Sequence, residues 1–229
     1  MSNRVFAIGD IHGHLKPLQA IIQKANLVAG DTLVFLGDYI DRGPSSKAVI
    51  EYLIELESQY ETIFILGNHE EALLTSRTDS DYFEAWLGFG GDTTLRSYQL
   101  PIEQESLSKI PTRHWQFLDN CREYYETDTH LFTHATIDPD VNIKYQSEEN
   151  LRWSKQFSTT PHTSGKVSVC GHVSQKNGQI LNLGHSVCID TYVYGGGWLT
   201  CLNLADNSYI QANEHGLCQT GVLAQELYD

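Results

Sequence analysis

The sequence predicts an α/β fold in which two mixed β-sheets face each other with helices outside. Over residues 5–66, short aliphatic and β-branched runs alternate with helical spacing, the pattern of parallel strands joined by right-handed crossovers. Beyond Cys121 the chain turns strand-rich, so an antiparallel half is expected to follow the parallel one. Polar segments also follow directly on the apolar runs, at the carboxyl ends of strands, where open α/β sheets bind ligands.

The first strand is expected at 5–8, where Val, Phe, Ala and Ile suit a buried strand. Leu15, Leu18, Ile21, Ile22 and Ala25 then recur at helical spacing, with Asn26 near the helix end. A second strand at 32–36, a second helix at 46–58 and a third strand at 62–66 complete the alternating half. Residues 71–120 read as mostly helical, with aromatic residues and a break at Gly90-Gly91. This segment is either plain helical packing or a cap over the site. Strands are then expected at 122–126, 130–133, 167–170, 179–182, 186–189, 198–203 and 208–212, with Asn177-Gly178 as a hairpin signal. No linker-like tract separates the halves, so 1–229 is read as one domain.

Composition narrows the function. A net charge of −14 disfavours a nucleic-acid surface, which needs clustered Lys and Arg. Long-range repulsion of a phosphorylated substrate is screened beyond about 8 Å at physiological salt, so a local positive charge must capture it. The five cysteines form no Cys-x-x-Cys pair and read as core or surface residues, not as a disulfide framework. Apolar runs are too short to span a bilayer, and Met1-Ser2-Asn3-Arg4 leads straight into a strand without room for a signal sequence. Cytoplasmic residence without a membrane partner is the expectation.

The chemistry lies in the strand-end segments: Gly9-Asp10-Ile11-His12-Gly13, Gly37-Asp38-Tyr39-Ile40-Asp41-Arg42-Gly43 and Gly67-Asn68-His69-Glu70. His134 follows Leu131-Phe132-Thr133, and His172 follows the run ending Cys170-Gly171. Taken singly, each aspartate could be a helix cap and each histidine a surface residue. Together they form a mixed oxygen and imidazole set that suits manganese, iron or zinc. A carboxylate shared between two such ions holds them about 3.5–4 Å apart. Two divalent cations would outweigh the carboxylates of Asp10 and Asp38 and leave a positive pocket in an acidic protein.

Gly-Asp-x-His-Gly, Gly-Asp-x-x-Asp-Arg-Gly and Gly-Asn-His-Glu in that order resemble the metallophosphoesterase superfamily, and within it the bacterial and phage branch of the phosphoprotein phosphatases. The resemblance runs over about 5–203 and is weakest in 71–120. It implies a β-sandwich flanked by helices and two divalent ions, manganese first with iron or zinc as alternatives. Asp10 and His12 would hold one ion, Asp38 would bridge, and Asn68, His134 and His172 would hold the other. A bridging hydroxide would attack phosphorus, His69 oriented by Asp41 would protonate the leaving alkoxide, and Arg42 and Asn68 would bind phosphate.

The chain departs from the family twice. In Arg152-Trp153-Ser154-Lys155, lysine stands where a phosphate-clamping arginine is expected, so Arg152 and Lys155 are both candidates, and lysine lacks the bidentate fork. Ile189-Asp190-Thr191-Tyr192 carries tyrosine in a glycine position. The resemblance implies hydrolysis of phosphoserine or phosphothreonine in a protein or peptide partner, with phosphotyrosine a further candidate. Symmetrical diadenosine tetraphosphate hydrolysis is the alternative, and an inactive phosphate-recognising module is the alternative of another class. His14, His114, His130, His162 and His215 lack a motif, and His185 precedes its apolar run, so all six are left outside the metal set.

Overall fold

Strands β1 (Val5–Ile8), β2 (Thr32–Phe35) and β3 (Glu61–Phe64) pair in parallel, joined by helices α1 (Leu15–Lys24) and α2 (Ser46–Glu57), in a computed structural model that describes residues 4–224. The opening Met1-Ser2-Asn3, from which the absence of a leader is expected, lies outside the described residues. Alternation along these strands sorts their side chains. Phe6, Ile8, Leu33, Phe35 and Phe64 pack in one core with Leu18, Ile21, Val49, Ile50 and Leu53 of the two helices. Ala7, Val34 and Ile63 point the other way, into a second core shared with Phe132, Val169 and Val187 of the other sheet. Burial on both faces explains why β2 reads as a continuous apolar run.

The first sheet has the order β11-β10-β9-β1-β2-β3, with β9 (Leu199–Asn203), β10 (Ser208–Ala212) and β11 (Cys218–Val222) antiparallel. The second has the order β4-β5-β6-β8-β7, from β4 (Tyr125–Glu126), β5 (His130–Phe132), β6 (Val167–Cys170), β7 (Leu181–Asn182) and β8 (Ser186–Cys188). Its three central strands, β5, β6 and β8, run parallel, so the later half of the chain is not the antiparallel assembly its short strands suggest. Asn177-Gly178 makes a turn without joining a hairpin. The hairpin is β7–β8, while β6 pairs with β8. Strand β11 escapes sequence reading because its residues are largely exposed and lack alternation.

Between β3 and β4 run α3 (Asn68–Thr75), α4 (Ser80–Trp86), a π turn over Leu87–Gly91, α5 (Asp92–Ser97) and α6 (Thr112–Asp119). Phe83, Trp86, Leu95, Phe117 and Leu118 of this segment join the same core as β1 and β2. Helix α7 (Glu148–Arg152) lies between β5 and β6. Among the described residues no helix is long and apolar enough to cross a membrane.

Candidate metal centre

The loops that leave β1, β2, β3, β5, β6 and β8 meet at one end of the two sheets, because both sets of central strands run parallel and present their carboxyl ends together. Tight turning there forces ordinary residues into left-handed backbone: His12, Asp38, Asp41, Arg42 and His172 have φ between +44° and +69°. Each costs of order 1–3 kcal/mol and persists only where neighbours over-determine it. Glu70 is one such neighbour. Its buried carboxylate accepts the N–H groups of Asp38 and Tyr39 at 2.8 Å and of Ile40 and Gly67 at 3.2 Å, tying the second motif to the third. Burial pushes the Glu70 carboxyl up to about 8, with Asp38 adding to the rise and the amide donors opposing it. Gly37, at φ +100°, admits no side chain, since a Cβ would lie 2.7 Å from His134 Nδ1.

Asp38 is the hub. His12 Nε2 stands 3.5 Å and His69 Nε2 3.8 Å from Asp38 Oδ2, and His134 Nε2 stands 3.3 Å from Oδ1. Asn68 Oδ1 lies 3.0 Å from both His134 Nε2 and His172 Nδ1. Ligand atoms of His12, Asp38 and His69 fall within 4.8 Å of one another, as do those of Asp38, His134 and His172. Three of the imidazoles are oriented by backbone carbonyls: His12 Nδ1 on Ile40 O at 3.0 Å, His134 Nδ1 on Leu36 O at 2.7 Å and His172 Nε2 on Trp153 O at 3.0 Å. A proton spent on each carbonyl leaves the other nitrogen's lone pair aimed at the hub, the arrangement of metal-ligating histidines. Burial holds His12 well below its ordinary value and His172 down to about 4, so both are neutral donors. Against the cost of burial, His134 and His69 hold Asp38 well below the usual carboxylate range.

Buried acids complete the fit to cations. Asp10 is raised well above its ordinary value by burial, then by Asp190 and Asp38. Asp190 is itself buried and raised, first by burial. Three buried carboxylates crowded in this way call for positive charge, and divalent ions between the imidazoles would provide it. His12, Asp38, Asn68, His134 and His172 are suitably placed to hold two such ions. Both oxygens of Asp10 lie 3.1 Å from the His172 N–H, and Asp10 is not a member of the two clusters, whereas His69 lies within the first.

His69 Nδ1 sits 2.7 Å from Asp41 Oδ2. Burial opposes a charge on His69, but Asp38 and the bond to Asp41 outweigh it and raise its pKa. The helical segment sets this pair. Trp86 Nε1 donates to Asp41 Oδ2 at 2.9 Å, and Thr94 Oγ1 donates to Oδ1 at 2.6 Å. Arg42 lies with its guanidinium 4.1 Å from the centroid of the Tyr194 ring and Nη1 2.8 Å from His12 Nε2. Tyr194 OH reaches Ser174 Oγ, which donates to Asp190. No periodicity marks Trp86, Thr94 or Tyr194 for these contacts, because their partners lie far away in the chain. Tyr192 adopts φ +68° and so keeps the turn in the glycine position.

Asp38, Arg42, Asn68, His69, Lys155 and His172 open on one cavity of about 420 Å³, which Phe89, Trp153, Lys176 and Tyr194 also line. A larger cavity, about 580 Å³, lies on the helical segment around Arg77 and Trp115 and contains no candidate site residue. Arg152 is absent from the lining. Its side chain is 3% exposed and is engaged by Glu71, Glu123 and Glu148, whereas Lys155 lines the cavity. Of the histidines outside the motifs, His114 meets Tyr98 OH, His162 meets Ser164 and Val141, and His185 meets Ser158, all away from the hub.

The sequence profile of calcineurin-like phosphoesterases matches residues 3–195. A symmetrical bis(5'-nucleosyl)-tetraphosphatase of Cellvibrio japonicus is 32% identical over 135 residues, 58% of this chain and 45% of that protein. Serine/threonine-protein phosphatase 1 of Salmonella typhimurium is 31% identical over 158 residues, 66% of this chain and 68% of that protein. The chain thus spans less than half the length of the first of these relatives. Among solved structures, a putative diadenosine tetraphosphatase superposes with a TM-score of 0.66 at 20% identity, over 96% of this chain and 94% of that one, a likeness of fold. Paired mixed sheets, imidazoles turned toward a shared aspartate and a profile match over most of the chain agree with one another: this protein belongs to the calcineurin-like phosphoesterase family.

Proposed function

We propose that this chain is a metal-dependent phosphoprotein phosphatase that hydrolyses phosphoserine and phosphothreonine esters, with phosphotyrosine a further substrate. The observation that carries the reading is the His69–Asp41 pair, 2.7 Å apart, beside Asp38 and Arg42 on a single cavity. Divalent ions held by the Asp38-centred residues would supply an acidified water and charge stabilisation. His69, kept protonated by Asp38 and Asp41, gives its Nε2 proton to the departing alkoxide. Arg42, its guanidinium over the Tyr194 ring, presents its fork to phosphate oxygens, and Lys155, on the same cavity, adds charge.

The test is a set of rates on phosphoserine, phosphothreonine and phosphotyrosine peptides and on diadenosine tetraphosphate, after EDTA stripping and again with Mn²⁺ restored. EDTA should abolish turnover and Mn²⁺ should return it on the peptides. Restored turnover of the dinucleotide alone would replace this reading with the second one, dinucleoside polyphosphate hydrolysis. That second reading is favoured by Lys155 and Lys176 lining one cavity, where they would suit additional phosphates. Tight phosphopeptide binding without any turnover would mark an inactive recognition module, in which the His69–Asp41 pair has no use.

Two further outcomes separate roles within the site. Lys155→Ala should raise KM about tenfold, the worth of a charge-assisted contact at a partly exposed site. Arg152→Met should leave KM within about twofold and lower Tm by about 3–10 °C, because three carboxylates lose their common cation. Equal KM changes in both would reinstate Arg152 as a phosphate ligand. Trp86→Phe removes one donor from Asp41 and should cut kcat on phosphoserine about tenfold, with a smaller loss on p-nitrophenyl phosphate, whose leaving group needs little protonation. Equal losses on both substrates would make the Trp86 contact structural only.

A further inference from the structure

Two aromatic rings on the cavity wall, Phe89 and Trp153, have no part in holding metal, phosphate or Asp41. Phe89 stands in the π turn between α4 and α5 with its ring centroid 6.1 Å from that of His69, edge to face, and 6.1 Å from that of Trp153. The turn is anchored from behind. Gly90 adopts φ +103°, its carbonyl accepts the Arg42 N–H at 3.3 Å and the Thr93 hydroxyl at 2.8 Å, and Gly91 packs against the Trp86 ring. Trp153 is pinned in the same way: its indole N–H donates to Glu71 at 2.6 Å, and its carbonyl accepts from His172. Both rings therefore turn apolar surface to the cavity from fixed mounts, and Phe89 keeps 37% of its surface exposed. Two apolar rings fixed on the wall of the site cavity, one beside the proton donor, are placed for an apolar part of a ligand to cover them.

We propose that Phe89 and Trp153 form an aryl subsite on the leaving-group side of His69, which gives phosphate esters of phenols, the phosphotyrosine class, a binding gain that the alkyl phosphates of phosphoserine and phosphothreonine do not receive. This rests on the phosphomonoesterase reading above. The position of Phe89 chooses the occupant. Whatever covers a ring in edge contact with His69 must be joined almost directly to the oxygen that His69 protonates, as a phenol ring is. In a dinucleoside tetraphosphate cut at its middle, two phosphates and a ribose separate the base from that oxygen. In the reaction, water adds its oxygen to phosphorus and releases a proton to solvent, from which His69 afterwards regains the one it donates, and the bond from phosphorus to the phenolic oxygen breaks. The bonding pair leaves with that oxygen, which takes the Nε2 proton of His69 and departs as the phenol.

The experiment measures kcat/KM with Mn²⁺ on two peptides of one sequence, carrying phosphotyrosine or phosphoserine, and on diadenosine tetraphosphate. It uses the wild type, Phe89→Leu and Phe89→Tyr. Comparing variants on each substrate cancels the intrinsic difference in leaving-group reactivity. Phe89→Leu should lower the phosphotyrosine value about three- to tenfold, leave phosphoserine within about twofold, and be rescued by Phe89→Tyr, which keeps the flat face. Equal falls on both peptides overturn the subsite, and a fall confined to the dinucleotide reassigns the rings to a nucleobase. No turnover of any substrate by the wild type overturns the phosphomonoesterase reading itself, an outcome distinct from loss of aryl preference.

Discussion

Asp38→Asn is expected to abolish turnover, by about a thousandfold or more, together with retention of divalent metal. Among the described residues Asp38 is the one carboxylate that belongs to both clusters of ligand atoms, so neutralising it weakens each cation site at once. Asparagine keeps the shape of the side chain, and its amide protons would meet the lone pairs of His12 or His134 that now face the carboxylate. The fold should therefore survive. In metal-free buffer Tm should stay close to that of the wild type, whereas the rise in Tm that added Mn²⁺ brings to the wild type should vanish. Metal content by elemental analysis, Tm with and without Mn²⁺ and kcat on a phosphopeptide are the measurements. Wild-type kcat in the variant would remove the bridging role of Asp38.

His69→Asn should have the next largest effect, about a hundred- to ten-thousandfold on kcat for a phosphoserine peptide, the range for loss of a positioned general acid. The effect should depend on the leaving group. Phosphoserine departs as a strongly basic alkoxide and needs the proton, whereas p-nitrophenolate leaves readily without one, so the loss on p-nitrophenyl phosphate should be much smaller. Because His69 Nε2 also lies 3.8 Å from Asp38 Oδ2, within the first cluster, the variant tests a second role at the same time. As a proton donor alone, its replacement leaves metal content and KM near wild type. Loss of metal with equal falls on both substrates would make His69 a ligand instead.

Much of this centre is legible in the chain before any fold is known. The three motifs and the runs before them place Asp10, His12, Asp38, Asp41, Arg42, Asn68 and His69 at strand ends, because short-range pattern carries both strand and turn. His134 and His172 follow by the same rule, applied to β5 and β6. The second sheet is less legible. Pairing of β6 with β8 across the Asn177-Gly178 turn depends on contacts between strands, and a turn signal cannot report which strands it joins.

The strand-end motifs and the family were thus determined by the sequence alone. Tertiary structure decided that Arg152 neutralises three glutamates while Lys155 faces the cavity, although they stand three residues apart. It also decided that the Asp10 carboxylate meets the His172 N–H and that a helical segment without any ligand motif supplies Trp86 and Thr94 to Asp41 and Phe89 to the cavity. The physical reason is range. Backbone preference and apolar periodicity act over a few neighbouring residues, whereas the charge and hydrogen bonding of a buried side chain are set by whichever distant groups packing brings against it.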